Sequence, residues 1–370
     1  MSRSDRLLSA ALSGALSRRR LLRGAFGLAG AGVALGAGAG LAGCSATDDA
    51  KTLNVFIWSE YIPDYVFEGF TKETGITVNQ SLYGNNEEML GKFRIENPGT
   101  FDILQPTGYM VDALIHQGAL QKLDRSLLPN LRNIGSQYLR PDFDPDNDYC
   151  VPFMGNCTII SYNADMVGSH PTAWADMLAP EFAGEIVALN DMREVLMIAA
   201  HTVGLTGNET DDAGIAEIEA QANALKPNIK IYDSDNPKGA LSAGDVAAGM
   251  VWTAEVALAQ RENPKIQAAF PKEGANVGTD HWVIPAGARH YENAHKFIDY
   301  VLRADVAAQI SNEFPYVQCN VEAIKLLPPE VQENPVLNVP AEVYQGGNSR
   351  KTLPPDVLRR YDKIWTNMKG

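Results

Sequence analysis

Residues 53–75 read LNVFIWSEYIPDYVFEGFTKETG: a strand, a loop and a helix in that order. The apolar run Leu53, Val55, Phe56 and Ile57 predicts a buried strand. Pro63 predicts the first turn of a helix, where a missing N–H costs nothing. Ile62, Val66, Phe67 and Phe70 give that helix one buried face, and Gly75 gives it a C-terminal stop. Trp58 and Tyr61 therefore fall in the loop beyond the carboxyl end of a first strand, the edge of an open α/β sheet at which small ligands bind. Two rings beside a carboxylate, Glu60, form one wall of a cage for an organic cation. The competing reading is that the rings cover the sheet edge.

The same unit recurs further along. ITVNQSLYG (76–84) reads as a second strand and Asn86–Ile95 as a helix with apolar Met89, Leu90 and Phe93. Residues 101–110 read as a strand running into a loop, and VDALIHQGAL as a helix ending near Gly118. Repeated βα units with short connections imply a mostly parallel sheet covered by helices. Residues 144–167 are a long extended run with little helical periodicity, a crossing between two lobes. A helix near 173–177 follows. GEIVALNDMREVLMIAAHTVG then reads strand, loop, helix, with Asp191 and Glu194 at the helix start. The strand Ala248–Trp252 leads to Glu255 in a helix. Residues 280–284 make a second extended crossing, and 355–368 a last helix. The expected fold is α/β, two-lobed, with two interdomain crossings. Residues 52–155 and 281–324 are assigned to one lobe, and 156–280 and 325–370 to the other. A chain of 370 residues is long for one core.

The start of the chain reads as an address. Ser17-Arg18-Arg19-Arg20-Leu21-Leu22-Arg23 has the twin-arginine export pattern, an Ala/Gly-rich run spans 25–41, and Leu41-Ala42-Gly43-Cys44 has the form of a lipobox. A signal peptide over 1–43, lipidation of Cys44 and a linker to residue 51 are expected. The mature protein would then be anchored outside the bacterial cytoplasmic membrane, on its periplasmic side. Gly38-Ala39-Gly40-Leu41-Ala42-Gly43 matches a dinucleotide fingerprint but has no strand before it and is set aside. From Cys44 onward 25 Lys and Arg face 44 Asp and Glu, a net of −19, which disfavours nucleic acid and favours cationic partners. Cys150, Cys157 and Cys319 remain, so at most one intramolecular disulfide is available, of unassigned pairing. No cofactor or metal site is expected.

From residue 53 to about 320 the mature chain resembles the polyamine-binding proteins of the spermidine/putrescine ABC importers, in lipoprotein form. The blocks that carry the likeness, in family order, are WSEYIPDYVFEGFTKETGI, QPTGYMVDALIHQGALQKLD, FDPDNDYCVPF, NDMREVLM, SDNPKGALSAGDVAAGMVW and VIPA. The resemblance implies a two-lobed binding protein, a monomer, that captures a small cationic ligand between its lobes and delivers it to a membrane permease. It implies ligand contacts at Trp58 and Tyr61, at Thr107 and Tyr109, at the carboxylates Asp191 and Glu194, at Trp252, at Asp280 and at Tyr316. Three departures stand out. Gly278 replaces an aromatic two residues before Asp280, removing one stacking wall for which His281 or Trp282 are the candidate substitutes. Ile57 replaces an asparagine, and the tail glutamine expected on an amine has no secure match.

Read alone, Asp191 caps its helix with Glu194 completing the first turn, Asp280 precedes a strand, Trp252 is core, and Tyr316 beside Pro315 anchors a loop. Set against an extended polyamine, the same residues supply spaced carboxylates with rings between them. An ammonium–carboxylate hydrogen bond contributes about 1.5–3 kcal/mol and a ring about 0.5–2 kcal/mol, so micromolar capture, about −8.2 kcal/mol, takes several together. The competing ligands for this fold are another cationic amine, an amino-acid derivative or a metal chelate, a reading that Gly278 favours. No phosphate loop, nucleophile elbow or His-Glu-x-x-His motif points to an enzyme.

Overall fold

β1 (Thr52–Trp58) pairs in parallel with β2 (Thr77–Tyr83) on one side and β3 (Ile103–Leu104) on the other. The computed structural model describes residues 49–370; the expected leader at 1–43, Cys44 and the linker up to residue 48 lie outside the described residues. Between β1 and β2 runs α1 (Asp64–Thr74). It is preceded by Pro63 in extended conformation and closed by Gly75 at φ 71°, a left-handed turn that a Cβ resists. Its buried face includes Phe67 and Phe70, whose ring centroids lie 5.6 and 5.2 Å from that of Phe297. α2 (Asn86–Ile95) starts at Asn85, whose side chain accepts the Glu88 N–H. The third unit differs from its sequence reading. Its strand is two residues long and α3 (Gly108–His116) begins before Val111. Pro106 has no N–H to extend the ladder, and Thr107 leaves β3 to form a bridge with Asp280.

β4 (Cys150–Asn163) is one strand of 14 residues, all buried, which is why its sequence shows no alternation. After it come β5 (Ile186–Ala188), α4 (Met192–His201), α5 (Asp212–Leu225), β6 (Ile229–Tyr232), α6 (Pro237–Ala243) and β7 (Ala248–Trp252). α7 (Thr253–Glu262), β8 (Ile266–Ala269), β9 (Asn276–Val283), α8 (Tyr291–Val301), α9 (Ala304–Glu313) and β10 (Val317–Gln318) follow. The segment read as a helix near 173–177 is a 3₁₀ turn, Trp174–Leu178. It stops because Ala179, preceding Pro180, is held extended.

The sheet runs β2-β1-β3-β9-β4-β7-β5-β6. Its two flanks are parallel, β1 with β2 and β3, and β5 with β6 and β7. Between them β4 and β9 pair antiparallel over most of their length, and the far half of β4 pairs antiparallel with β7. These two strands are the crossings between the lobes. β9 starts at Asn276, ahead of the extended run read from Asp280.

Two apolar clusters form the core, and the larger spans both flanks, reaching Val187, Leu241 and Val251. One gathers Phe56, Phe70, Leu104, Trp282 and Phe297; the other gathers Trp174, Ile186, Leu196, Ile218 and Leu225. The C-terminal helix Pro355–Lys369 adds Val357, Tyr361 and Ile364 to the second. Ahead of that helix Leu327 packs with Ala307, Ala308 and Ala323, and Val336 and Val339 with the first cluster. Cys150, Cys157 and Cys319 are buried free thiols. No helix among the described residues is long and apolar enough to cross a membrane.

Candidate functional site

The carboxyl ends of the parallel strands converge between the flanks, as an open α/β sheet dictates. Trp58 ends β1, Thr107 follows β3, Asp191 follows β5 at the cap of α4, and Trp252 ends β7. β9 sets Asp280 opposite Met154 of β4, and the loop after α9 supplies Tyr316.

Six of the nine expected residues meet in one box: Trp58, Tyr61, Thr107, Trp252, Asp280 and Tyr316, joined by Asn156 and Arg350. The four rings form a continuous wall. Tyr61 and Tyr316 are 4.7 Å apart between centroids, Tyr316 and Trp252 6.4 Å, and Trp252 and Trp58 6.2 Å. Trp58 is fixed by its indole N–H, which donates to the Gln105 carbonyl at 2.9 Å. Asp280 is buried at the base. Its Oδ1 accepts the Thr107 hydroxyl at 2.6 Å and the Asn156 amide at 3.4 Å, and its Oδ2 accepts the Tyr61 hydroxyl at 2.8 Å. Burial pushes this carboxyl up, against those donors and the charge of Arg350. The space left between the rings is about 20 Å³, room for one water.

Tyr109, Asp191 and Glu194 stand apart from the box, gathered around Arg350. Both oxygens of Glu194 are engaged, as are those of Asp280. Oε1 accepts Arg350 Nη1 at 2.6 Å, and Oε2 accepts the Thr158 hydroxyl at 3.0 Å and the Asn276 amide at 2.7 Å. Asp191 caps α4 through Oδ1, which accepts the N–H groups of Arg193 and Glu194, while its buried Oδ2 has no partner. Burial raises the Asp191 carboxyl, and the nearby charges of Glu87 and Glu194 raise it further. Tyr109 donates its hydroxyl to Glu87 at 3.1 Å, and the guanidiniums of Arg193 and Arg350 lie 5.4 and 5.5 Å from its ring.

Arg350, absent from the sequence reading, arrives by register. Asn348 and Ser349 pair in parallel with Asn276 and Val277 of β9, which brings the next residue against Gly278. The Tyr344 hydroxyl donates to the Gly278 carbonyl and holds the tail there. Neither substitute for the missing aromatic takes its place. Trp282 is core against Phe153 and Phe297, and the His281 ring faces Phe143. Asn156 is the other omission, and its signal is present: an amide inside an otherwise apolar run.

Glu60, Glu255 and Lys238 form a second charged cluster, outside the lining of the box. Lys238 Nζ is 2.7 Å from Glu60 and 3.8 Å from Glu255 Oε2. Glu60 is half-exposed at φ 47°. Glu255 is nearly buried, and burial pushes it up to about 7 against the pull of Lys238. It lies three residues after Trp252, as Glu194 does after Asp191.

Residues 66–339 match the bacterial extracellular solute-binding protein family. The spermidine/putrescine-binding periplasmic protein of Escherichia coli is 40% identical over 319 residues, 85% of this chain and 91% of that one. The putrescine-binding periplasmic protein PotF of the same organism is 30% identical over 342 residues, 87% and 92% of the two chains. The spermidine/putrescine ABC transporter substrate-binding protein PotD of Streptococcus pneumoniae superposes with a TM-score of 0.73 at 28% identity, covering 86% of this chain and 98% of that one. This chain belongs to the bacterial extracellular solute-binding protein family.

Proposed function

We propose that this protein is the extracytoplasmic binding component of an ABC importer, capturing a polyamine of the putrescine/spermidine class between its lobes and presenting it to a membrane permease. The observation that carries the reading is Asp280: a buried carboxylate at the crossing strands, walled by Trp58, Tyr61, Trp252 and Tyr316. An ammonium there gains a counter-charge and ring faces at once. The relatives named for spermidine and putrescine support the choice of ligand. The leader pattern supports export and a lipid anchor at Cys44, with the chain working as a monomer. The lobes would divide at the midpoint of β4 and β9.

Capture works by closure. Ser59 donates its hydroxyl to Asp235 at 2.8 Å, and Lys238 bridges to Glu60 at 2.7 Å, each contact joining opposite sides of the cleft. A ligand touching both sides stabilises the closed form by its differential affinity, and the permease reads that form. In a thermal-shift assay putrescine or spermidine at a hundredfold excess over Kd is expected to stabilise the protein by about 2.7 kcal/mol. Basic amino acids are expected to do less. Absence of a shift with every amine would sink the reading.

Affinity is expected to rise between pH 6 and pH 8. Glu255, facing Lys238, Glu60 and Asp233, is pushed up to about 7, so at pH 6 it is largely protonated, while an aliphatic amine keeps its charge throughout. Binding a cation favours the carboxylate, so below that pKa the ligand must expel a proton, which weakens affinity by up to about tenfold per pH unit. Calorimetry at the two pH values, in buffers of different ionisation enthalpy, reads both the affinity change and the proton released. A flat profile would remove Glu255 from the ligand's surroundings.

A further inference from the structure

Arg350 sits inside the cleft with its side chain 4% exposed. Nη1 donates to Glu194 at 2.6 Å and Nη2 to Asn156 at 3.2 Å, while the buried Nε has no partner. The same Asn156 donates to Asp280, so the guanidinium is one residue removed from the carboxylate that holds the box together. Gly278 makes this possible. A Cβ at 278 would lie 3.1 Å from Nη2 and 3.0 Å from Asn156 Oδ1, closer than those atoms tolerate without moving. Any side chain at 278 would crowd the guanidinium and the Asn156 amide, which would have to give way.

The charges then divide unevenly along the cleft. At one end Arg350 is paired with Glu194, whose two oxygens, like those of Asp280, are engaged by internal donors, while Asp191 keeps a buried Oδ2 without a partner. At the other end Glu60 and Glu255 share the single Lys238, and Glu255 Oε2 is buried without a hydrogen bond. Asp280 is left with its carboxylate facing the rings. Tyr316 stands where the charges of both Glu255 and Asp280 act on it. Glu255 and Asp280 are the carboxylates whose charge acts on the rings of the box, and the place beside Glu194 is already filled by a cation of the protein itself.

We propose that Arg350 occupies the position of one ligand ammonium and restricts the cleft to aliphatic diamines, one ammonium at Asp280 and the other toward Glu255, rejecting a triamine that would drive its third ammonium against the guanidinium. Gly278 is the accompanying change that gives Arg350 its room. This rests on the amine-binding reading and deepens it by naming the ligand class. Like charges in a buried site repel strongly, and that repulsion supplies the discrimination.

Titration calorimetry of the wild type and Arg350→Gln with putrescine and with spermidine tests it. Glutamine keeps an N–H for Glu194 and removes the charge. The wild type is expected to bind the diamine at least tenfold more tightly than the triamine, and Arg350→Gln to shift that ratio at least tenfold toward the triamine. A wild type that binds both equally or prefers the triamine overturns the proposal, as does a folded variant with an unchanged ratio; in those cases amine binding itself stands. If the wild type binds neither amine, the amine-binding reading fails and this one with it. Should the variant fail to fold by circular dichroism, the wild-type ratio alone decides.

Discussion

Asp280→Ala is expected to lower amine affinity at least a hundredfold. Asp280 is the carboxylate inside the ring box, and three donors orient it: the hydroxyls of Tyr61 and Thr107 and the amide of Asn156. Removing it takes away a charge-assisted hydrogen bond of about 1.5–3 kcal/mol. It also leaves the guest's ammonium facing Arg350 with no counter-charge. A loss of about 2.7 kcal/mol is already a factor of a hundred. The truncation strands three buried donors as well, so part of any effect belongs to the protein's own stability. Asp280→Asn separates the two. It keeps an acceptor for one of the two hydroxyls and turns an N–H₂ toward the other, whose oxygen can accept; it carries no charge, and it is expected to fold and still lose most of the affinity. Calorimetry on both variants, with circular dichroism as the check on folding, reads the result. Wild-type affinity in a folded Asp280→Asn protein would show that charge at this position is not what captures the amine.

The local parts of this molecule were legible in the sequence because local rules produce them. Leu53 to Ile57, Pro63 and Gly75 mark β1 and α1 through burial, backbone restriction and left-handed turn geometry. The continuous apolar run of β4 marks a strand covered on both faces. Asp191 was legible as a helix cap: its Oδ1 accepts the N–H groups of Arg193 and Glu194, while its Oδ2 is buried without a partner. What the sequence conceals is partnership at long range. Arg350 and Glu194 are 156 residues apart, and no spacing rule links them; only the register of the tail strand on β9 brings them together. The same register turns Gly278 from a missing wall into the room for a guanidinium. The early start of α3 at Gly108 escapes the sequence, because Pro106 breaks the ladder and the bridge partner of Thr107, Asp280, lies far along the chain. Glu60 was legible as a carboxylate beside the rings, and its contact with Lys238, 178 residues away, was not. Sequence patterns thus located the rings and helix ends, while the pairing of charges across the cleft required three dimensions.

That pairing makes Glu194→Ala the substitution expected to damage the fold most. Glu194 is fully buried and closes four contacts at once: Arg350 on one oxygen, Thr158 and Asn276 on the other, and its backbone N–H on Asp191. Deleting the carboxylate leaves a guanidinium buried without its nearest counter-charge and two further donors unsatisfied. Breaking one side of a buried ion pair costs about 3–5 kcal/mol, a large part of the roughly 5–15 kcal/mol that holds a domain folded. In urea the midpoint is expected to fall by that amount divided by the slope of the transition, with the slope itself unchanged. Removing both partners, as Glu194→Ala with Arg350→Ala, is expected to recover much of the loss, since no charge is then left unpaired. The recovery, measured as a double-mutant cycle, gives the coupling between them. A carboxylate that served only to hold a ligand would behave otherwise: its removal would weaken amine binding and leave the urea midpoint of the ligand-free protein where it was. Such a result would return Glu194 to the ligand and leave Arg350 without the partner that keeps it in the cleft.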